Sequence, residues 1–178
     1  TFGVLQGGQG DYTFDTMRLA EMTPFWASVA YLLALFGFGA KAGMVPLHVW
    51  LPEAHPAAPS PVSALMSGVM LKTAIYGLLR VTFDLLNIQI GWWGTLALAL
   101  GLITALYGVI FAAVQSDMKR LLAWSSIENI GILLAAFGLT LIFTTDGKGA
   151  LAALTLTALL YHALNHAFFK GLLFVGTG

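Results

Sequence analysis

The residues able to do chemistry in this chain stand where hydrocarbon would be expected. Lys41, Lys72, Glu128 and Lys170 all fall inside or at the edge of long apolar runs. Lys72 is the deepest. It sits about ten residues from either end of its run, roughly 15 Å from both interfaces at about 1.5 Å of rise per residue. A lysine stem cannot carry its ammonium to water over that distance. Glu128 is similarly central. Each such charge costs about 2.5–3.5 kcal/mol at a helix centre, so the four together cost on the order of 10 kcal/mol unless paired or used. Desolvation disfavours the charged form of a buried lysine, and a nearby carboxylate restores it. A Lys–Glu pair in such a setting is therefore a switchable proton site.

A second constellation adds histidine. His162, His166 and Lys170 recur at intervals of four residues, which stacks them on one helix face, with Tyr161 and Asn165 beside them. Histidine titrates near neutrality and can relay protons. Two alternatives accompany this reading. Glu128 could neutralise one lysine as structural glue, which leaves at least two lysines over. The histidines could instead bind zinc or haem, although no third ligand is evident on their helix. A third group, His48, Glu53 and His55, could collect protons at a channel mouth or serve as ordinary interfacial residues. Its spacing is not H-E-x-x-H, which argues against a zinc hydrolase.

These residues must be positioned by transmembrane helices. The 178 residues are 58% hydrophobic and 9% charged, against about 25% charged in a soluble domain. The expected fold class is all-α, a polytopic transmembrane bundle. Residues 1–22, polar and glycine-rich with Asp11, Asp15, Arg18 and Glu21, read as a water-exposed connection. Residues 23–178 read as about five helices, a span needing roughly 20 apolar residues. The expected spans lie near 24–51, 61–82, 90–114, 118–143 and 150–176. Thr23-Pro24 and Ser60-Pro61 are N-cap and first-turn proline signals. The first span should be broken near Pro46, after Gly43, with a short continuation and a loop over Pro52–Ser60. Proline removes a backbone donor and clashes with the preceding turn, and such a break is tolerated only beside protein or a water-filled cavity. Trp92 and Trp93 are expected in an interfacial belt.

Other features narrow the function. Net charge is zero, so nothing suggests a nucleic-acid partner. There is no cysteine, which excludes thiolate metal sites, disulfides and iron–sulfur clusters held by this chain. Gly37 to Ala42 fits G-x-G-x-x-A, but no βαβ unit surrounds it; its small residues are expected to let helices pack closely. Lys119 and Arg120 place the 115–120 loop on the cytoplasmic side, although Arg80 and Lys148 oppose them. By parity the Pro52–Ser60 loop shares that side. Thr1 and the apolar end at Gly178 read as an internal slice of a longer protein.

The motifs also carry a resemblance. GAKAGMVPLHVWLPEAHPAAPSPVSAL (39–65), SDMKRLLAWSSI (116–127) and NHAFFKGLLF (165–174) resemble the antiporter-like membrane subunits of respiratory complex I. Within that superfamily HPAAPSP (55–61), LKTAIYG (71–77) and IENIG (127–131) are most similar to the membrane subunits of formate hydrogenlyase and related membrane-bound hydrogenases. The resemblance implies a multi-pass protein of the cell inner or plasma membrane that translocates protons for a redox-driven complex. It implies Lys41 beside the broken helix in an input half-channel, Lys72 as the connecting lysine, and Lys170 with its histidines on a central hydrophilic axis. It also implies a glutamate on an earlier helix and an exit residue on a later one. No catalytic centre is expected in this chain. Iron–sulfur, nickel–iron or flavin centres would sit in partner membrane and peripheral subunits. The alternatives are a cation/proton antiporter subunit without electron transfer and a passive hydrogenase anchor.

Overall fold

The computed structural model describes residue 3, residues 13–86 and residues 88–177. Most of the 1–12 stretch, Asp11 included, lies outside the described residues. All regular structure among the described residues is helical. Within the 1–22 stretch, α1 (Phe14–Leu19) is capped by Thr13 and buries Met17. Five further helices are long and apolar enough to cross a membrane: α2 (Pro24–Ala42), α4 (Ser60–Leu85), α5 (Gly91–Ala113), α6 (Met118–Thr145) and α7 (Gly149–Val175). A short α3 (Trp50–Ala57) separates α2 from α4.

Thr23 caps α2 by accepting from the Trp26 amide, with Pro24 in the first turn, as the residue types predict. The helix stops earlier than Pro46 suggests. Gly43 takes a left-handed conformation, φ +82°, which costs glycine nothing because it lacks a Cβ. The Gly43 amide then donates to Ala40 O and the Met44 amide to Gly39 O, the paired closure of a Schellman end. The chain is held across the break by the Val45 amide, which donates to Thr104 Oγ1 at 3.2 Å, and by Trp50 Nε1, which donates to Ala40 O at 2.9 Å.

The stretch expected as a loop over Pro52–Ser60 is largely helix α3. Pro52 lies in its first turn, where an amide hydrogen has no partner to lose. Pro56 falls at the other end, so little of the ladder is interrupted. α4 also runs past its expected end at Thr82, to Leu85. It contains two π-wound turns, Met66–Met70 and Val81–Leu85. At its far end Arg18 of α1 and Arg80 both pair with Asp84, at 2.9 Å and 3.1 Å.

Packing is closest between α5 and α6. Gly94, Gly101 and Gly108 recur every seven residues on α5; the first two face Gly138 and Gly131 on α6, and Gly108 faces the Glu128 backbone. A Cβ on Gly94 would stand 2.7 Å from Gly138 O, and one on Gly101 2.8 Å from Gly131 O. The backbones therefore touch, as small residues permit between membrane helices. Gly37 has no such role: a Cβ there would meet nothing within 4 Å. Within the G-x-G-x-x-A stretch it is Gly39 and Ala42, both buried, that face inward. Trp93 is fully buried rather than in an interfacial belt. It stacks on Tyr31 at 4.5 Å, and its carbonyl accepts from the Tyr31 hydroxyl at 2.9 Å. Trp92 is the exposed one of the pair.

One end of the bundle gathers the break, α3, the α5–α6 loop and the end of α7. Lys119 Nζ donates to Ala58 O at 3.0 Å, and Arg120 pairs with Glu53 at 3.0 Å. The segments around Pro52–Ser60 and 115–120 thus share one side, as helix parity requires. α6 is the most enclosed span and α7 the least.

Candidate functional site

The polar side chains of the membrane interior meet along the seam between α4, α6 and α7. Its centre is Lys72, half-buried on α4. The π turn before it explains its anchoring. In a regular α-helix the Leu71 amide would bond Ser67 O; here it reaches back to Met66 O. Ser67 O is thereby released and accepts from Lys72 Nζ. Single π turns of this kind cluster at functional sites. Lys72 Nζ also contacts Nδ1 of His166 on α7. The close approach is possible because α4 carries glycine at the crossing: a Cβ on Gly68 would stand 3.2 Å from Ala167 O.

Two lines of contacts leave this centre. Along α7, the His162 ring lies 6.2 Å from the His166 ring, and His162 Nε2 meets Asn129 Oδ1 of α6 at 3.0 Å. Asn129 is fixed by donating to Ser125 O at 2.7 Å. Across α6, the Ser67 and Ser126 hydroxyls are bonded at 2.7 Å. Ser126 donates to Leu122 O at 2.8 Å, and the buried Lys170 donates to the same carbonyl at 3.2 Å. His162, His166 and Lys170 therefore share one face, as their spacing predicts, but Lys170 ends on a backbone carbonyl of α6 rather than on a histidine.

The remaining candidates are distributed differently. Glu128 is half-buried and accepts from the Ser125 hydroxyl at 3.2 Å. Among the described residues it forms no direct ion pair with a lysine, and Lys170 is the lysine within reach of its charge. Lys41 is exposed on the outer face of α2, away from the seam. His48 is buried, its ring 5.1 Å from Tyr107 and 5.3 Å from Trp124. Glu53 lies at the surface in its pair with Arg120. His55 is fully buried and stacks on Phe174 at 4.5 Å. Burial, with Lys170 and Lys119 nearby, pushes its pKa down to about 4. The three residues read as one mouth are thus an aromatic-boxed ring, a surface carboxylate and a buried neutral ring. Among the described residues no three His, Asp or Glu side chains gather as a metal site.

Ser67, Ser126 and Asn129 join the site without having been singled out from sequence. A signal existed: Ser126 and Asn129 lie three residues apart in an apolar helix, hence on one face, and hydroxyl or amide groups at membrane depth seek partners across helices. The π turn that turns Ser67 O toward Lys72 left no such trace.

Comparison with known proteins gives the family of the chain. Hydrogenase-4 component B of Escherichia coli (strain K12) is 54% identical over 95% of this chain and 25% of its own length. Formate hydrogenlyase subunit 3 of the same organism is 43% identical over 96% of the chain and 28% of its own. NADH-quinone oxidoreductase subunit M, also from that strain, is 41% identical over 71% and 25%. The chain spans about a quarter of the length of these curated relatives. A chain of the membrane-bound sulfane sulfur reductase, an archaeal respiratory membrane complex, shares the fold with a TM-score of 0.80 at 24% identity, over 98% of this chain and 34% of that one. The family model described as NADH:quinone oxidoreductase/Mrp antiporter, transmembrane, matches residues 3–178. This multi-pass membrane chain belongs to that family.

Proposed function

We propose that the chain forms part of a proton-translocating subunit of a redox-driven membrane complex of hydrogenase or NADH:quinone oxidoreductase type. The observation that carries this reading is the Lys72 amine held between the Ser67 carbonyl and His166 Nδ1, with no ion pair to a carboxylate among the described residues. A lysine whose partners are neutral can give up its proton, whereas one locked in an ion pair is held charged. His166 offers a second titratable group in direct contact, and Lys170 a third site on the same seam. The similarity to a hydrogenase component and to formate hydrogenlyase subunit 3 supports the hydrogenase form of the reading.

On this reading Lys41, exposed on the outer face of α2, awaits a carboxylate from another helix and feeds protons toward the seam from the break end. That end, with Lys119 and Arg120, faces the cytoplasm. On this reading iron–sulfur, nickel–iron or flavin centres belong to partner subunits, which the lack of cysteine in these 178 residues supports. The test is Lys72→Ala in the full-length subunit within its complex: assembly should persist and proton translocation should stop.

The Mrp half of the family description favours a second reading, a cation/proton antiporter without electron transfer. The same seam would serve it. Copurification separates the two, since a hydrogenase or iron–sulfur partner belongs only to the first.

A further inference from the structure

Lys72 and Lys170 belong to different helices and do not touch, yet each donates to a backbone carbonyl beside one hydroxyl pair: Lys72 to Ser67 O, and Lys170 to Leu122 O, which Ser126 Oγ also bonds. Ser126 commits its proton to Leu122 O. Ser67 must therefore be the donor in the 2.7 Å bond between the two hydroxyls. Ser67 also offers its carbonyl to Lys72, and Lys170 reaches the same Leu122 carbonyl as Ser126. Both serines and Lys170 are buried, at 0%, 0% and 1% exposure. A serine bonding the carbonyl four residues back is ordinary helix chemistry. A hydroxyl pair that crosses between two helices, flanked by two carbonyls that each hold a lysine amine, is not explained by that habit. The alternative path along α7 is interrupted: among the described residues no hydrogen bond joins His166 to Lys170.

We propose that the Ser67–Ser126 hydroxyl pair is the proton-conducting link between Lys170 and Lys72. The proposal rests on the proton-translocating reading above and names its relay. The Lys170 ammonium moves from Leu122 O to the neighbouring Ser126 Oγ and gives up one proton, breaking an N–H bond and forming an O–H bond. Ser67 first swings its own proton off Ser126 Oγ toward Lys72; the proton already on Ser126 then turns from Leu122 O and transfers to Ser67 Oγ, breaking the Ser126 O–H bond and forming one on Ser67. The proton already on Ser67 passes to the neutral Lys72 amine, which turns from the Ser67 carbonyl to the hydroxyl of the same residue. One proton and one positive charge move from Lys170 to Lys72, and both serines end as hydroxyls. Lys72 also contacts His166, whose ring lies 6.2 Å from that of His162 with no hydrogen bond between the two among the described residues. Hydroxyls suit the bridging position because each is at once donor and acceptor.

The test uses the full-length subunit in its intact complex, reconstituted into vesicles with an internal pH dye. Replacing both partners of a buried hydroxyl pair by apolar groups is close to neutral for folding, so the Ser67→Ala/Ser126→Ala variant should assemble. Its translocation rate per assembled complex should fall about tenfold or more, the scale of a lost proton-transfer group. Ser67→Thr/Ser126→Thr, which keeps both hydroxyls, should restore most of the rate. Wild-type rates in the alanine pair, or equally slow rates in the threonine pair, would overturn the bridge. Lys72→Ala in the same vesicles separates the two levels. If it is blocked while the alanine pair runs freely, the bridge alone fails; if it too runs freely, the translocating function fails. Should the alanine pair not assemble, Ser126→Ala against Ser126→Thr decides by the same contrast.

Discussion

Lys72 of α4 and His166 of α7 meet through Nζ and Nδ1, at the place where α4 is wound as a π turn and its Ser67 carbonyl is free to hold the same amine. The two helices are far apart in sequence, so this contact is what makes the two charge-bearing segments one site.

His166 is predicted to be required for transfer and dispensable for the fold. His166→Asn keeps a polar group of smaller size but removes the titratable ring. Proton translocation by the assembled complex should drop about a hundredfold, within the range for loss of an acid–base group. Assembly, followed by native electrophoresis, should be unchanged. A translocating His166→Asn complex would remove His166 from the path.

The α5–α6 seam sets a different expectation, on stability. A Cβ on Gly131 would enter the Ala105 backbone, so Gly131→Val should destabilise by about 1–3 kcal/mol, the cost of overpacking. Gly37→Ala has open space around it and should stabilise by up to about 1 kcal/mol through helix propensity. Thermal unfolding in detergent compares the two, and equal melting temperatures would refute the seam.

Tyr31 and Trp93 predict a smaller loss. Tyr31→Phe keeps the stack at 4.5 Å and deletes only the hydroxyl that donates to Trp93 O. The cost should be about 1 kcal/mol, and Trp93 fluorescence should keep its buried emission maximum. A red-shifted spectrum would show that the hydroxyl, not the stack, holds Trp93 in place.

His55 predicts a pH dependence. Its folded pKa is pushed down to about 4, below the roughly 6.5 of a free imidazole. The unfolded chain therefore binds this proton more readily than the folded one. Stability from this group is complete above about pH 6.5 and is lost progressively as pH falls toward 4. His55→Phe, which preserves stacking on Phe174, should flatten the melting temperature between pH 6.5 and 4. An identical slope in both proteins would contradict the assignment.

Much of this was legible in the sequence. The five spans follow from apolar runs, and Thr23 caps the first as expected; Ser60 does not cap α4, because it lies inside the helix with its hydroxyl toward Thr177. The spacing of His162, His166 and Lys170 does place them on one face. The break was legible in kind and nearly in position: Gly43, named with Pro46 as the break, closes α2 just before the proline. Prolines misled over Pro52–Ser60, since at the ends of a short helix they cost little. Trp93 misled because aromatic residues near a span end also serve as core when Tyr31 faces them. Least legible were the partners of the lysines. Which carbonyl a π turn releases, and that two serines far apart in sequence meet between Lys72 and Lys170, are consequences of tertiary packing that no spacing encodes.

The most direct test of the account is proton uptake into vesicles containing the complete complex with Lys72→Ala in the full-length subunit, measured alongside the turnover of its redox partners. The account predicts an assembled complex that has lost proton uptake. Uptake at the wild-type rate would contradict it, and would leave the buried amine between Ser67 and His166 as a structural contact only.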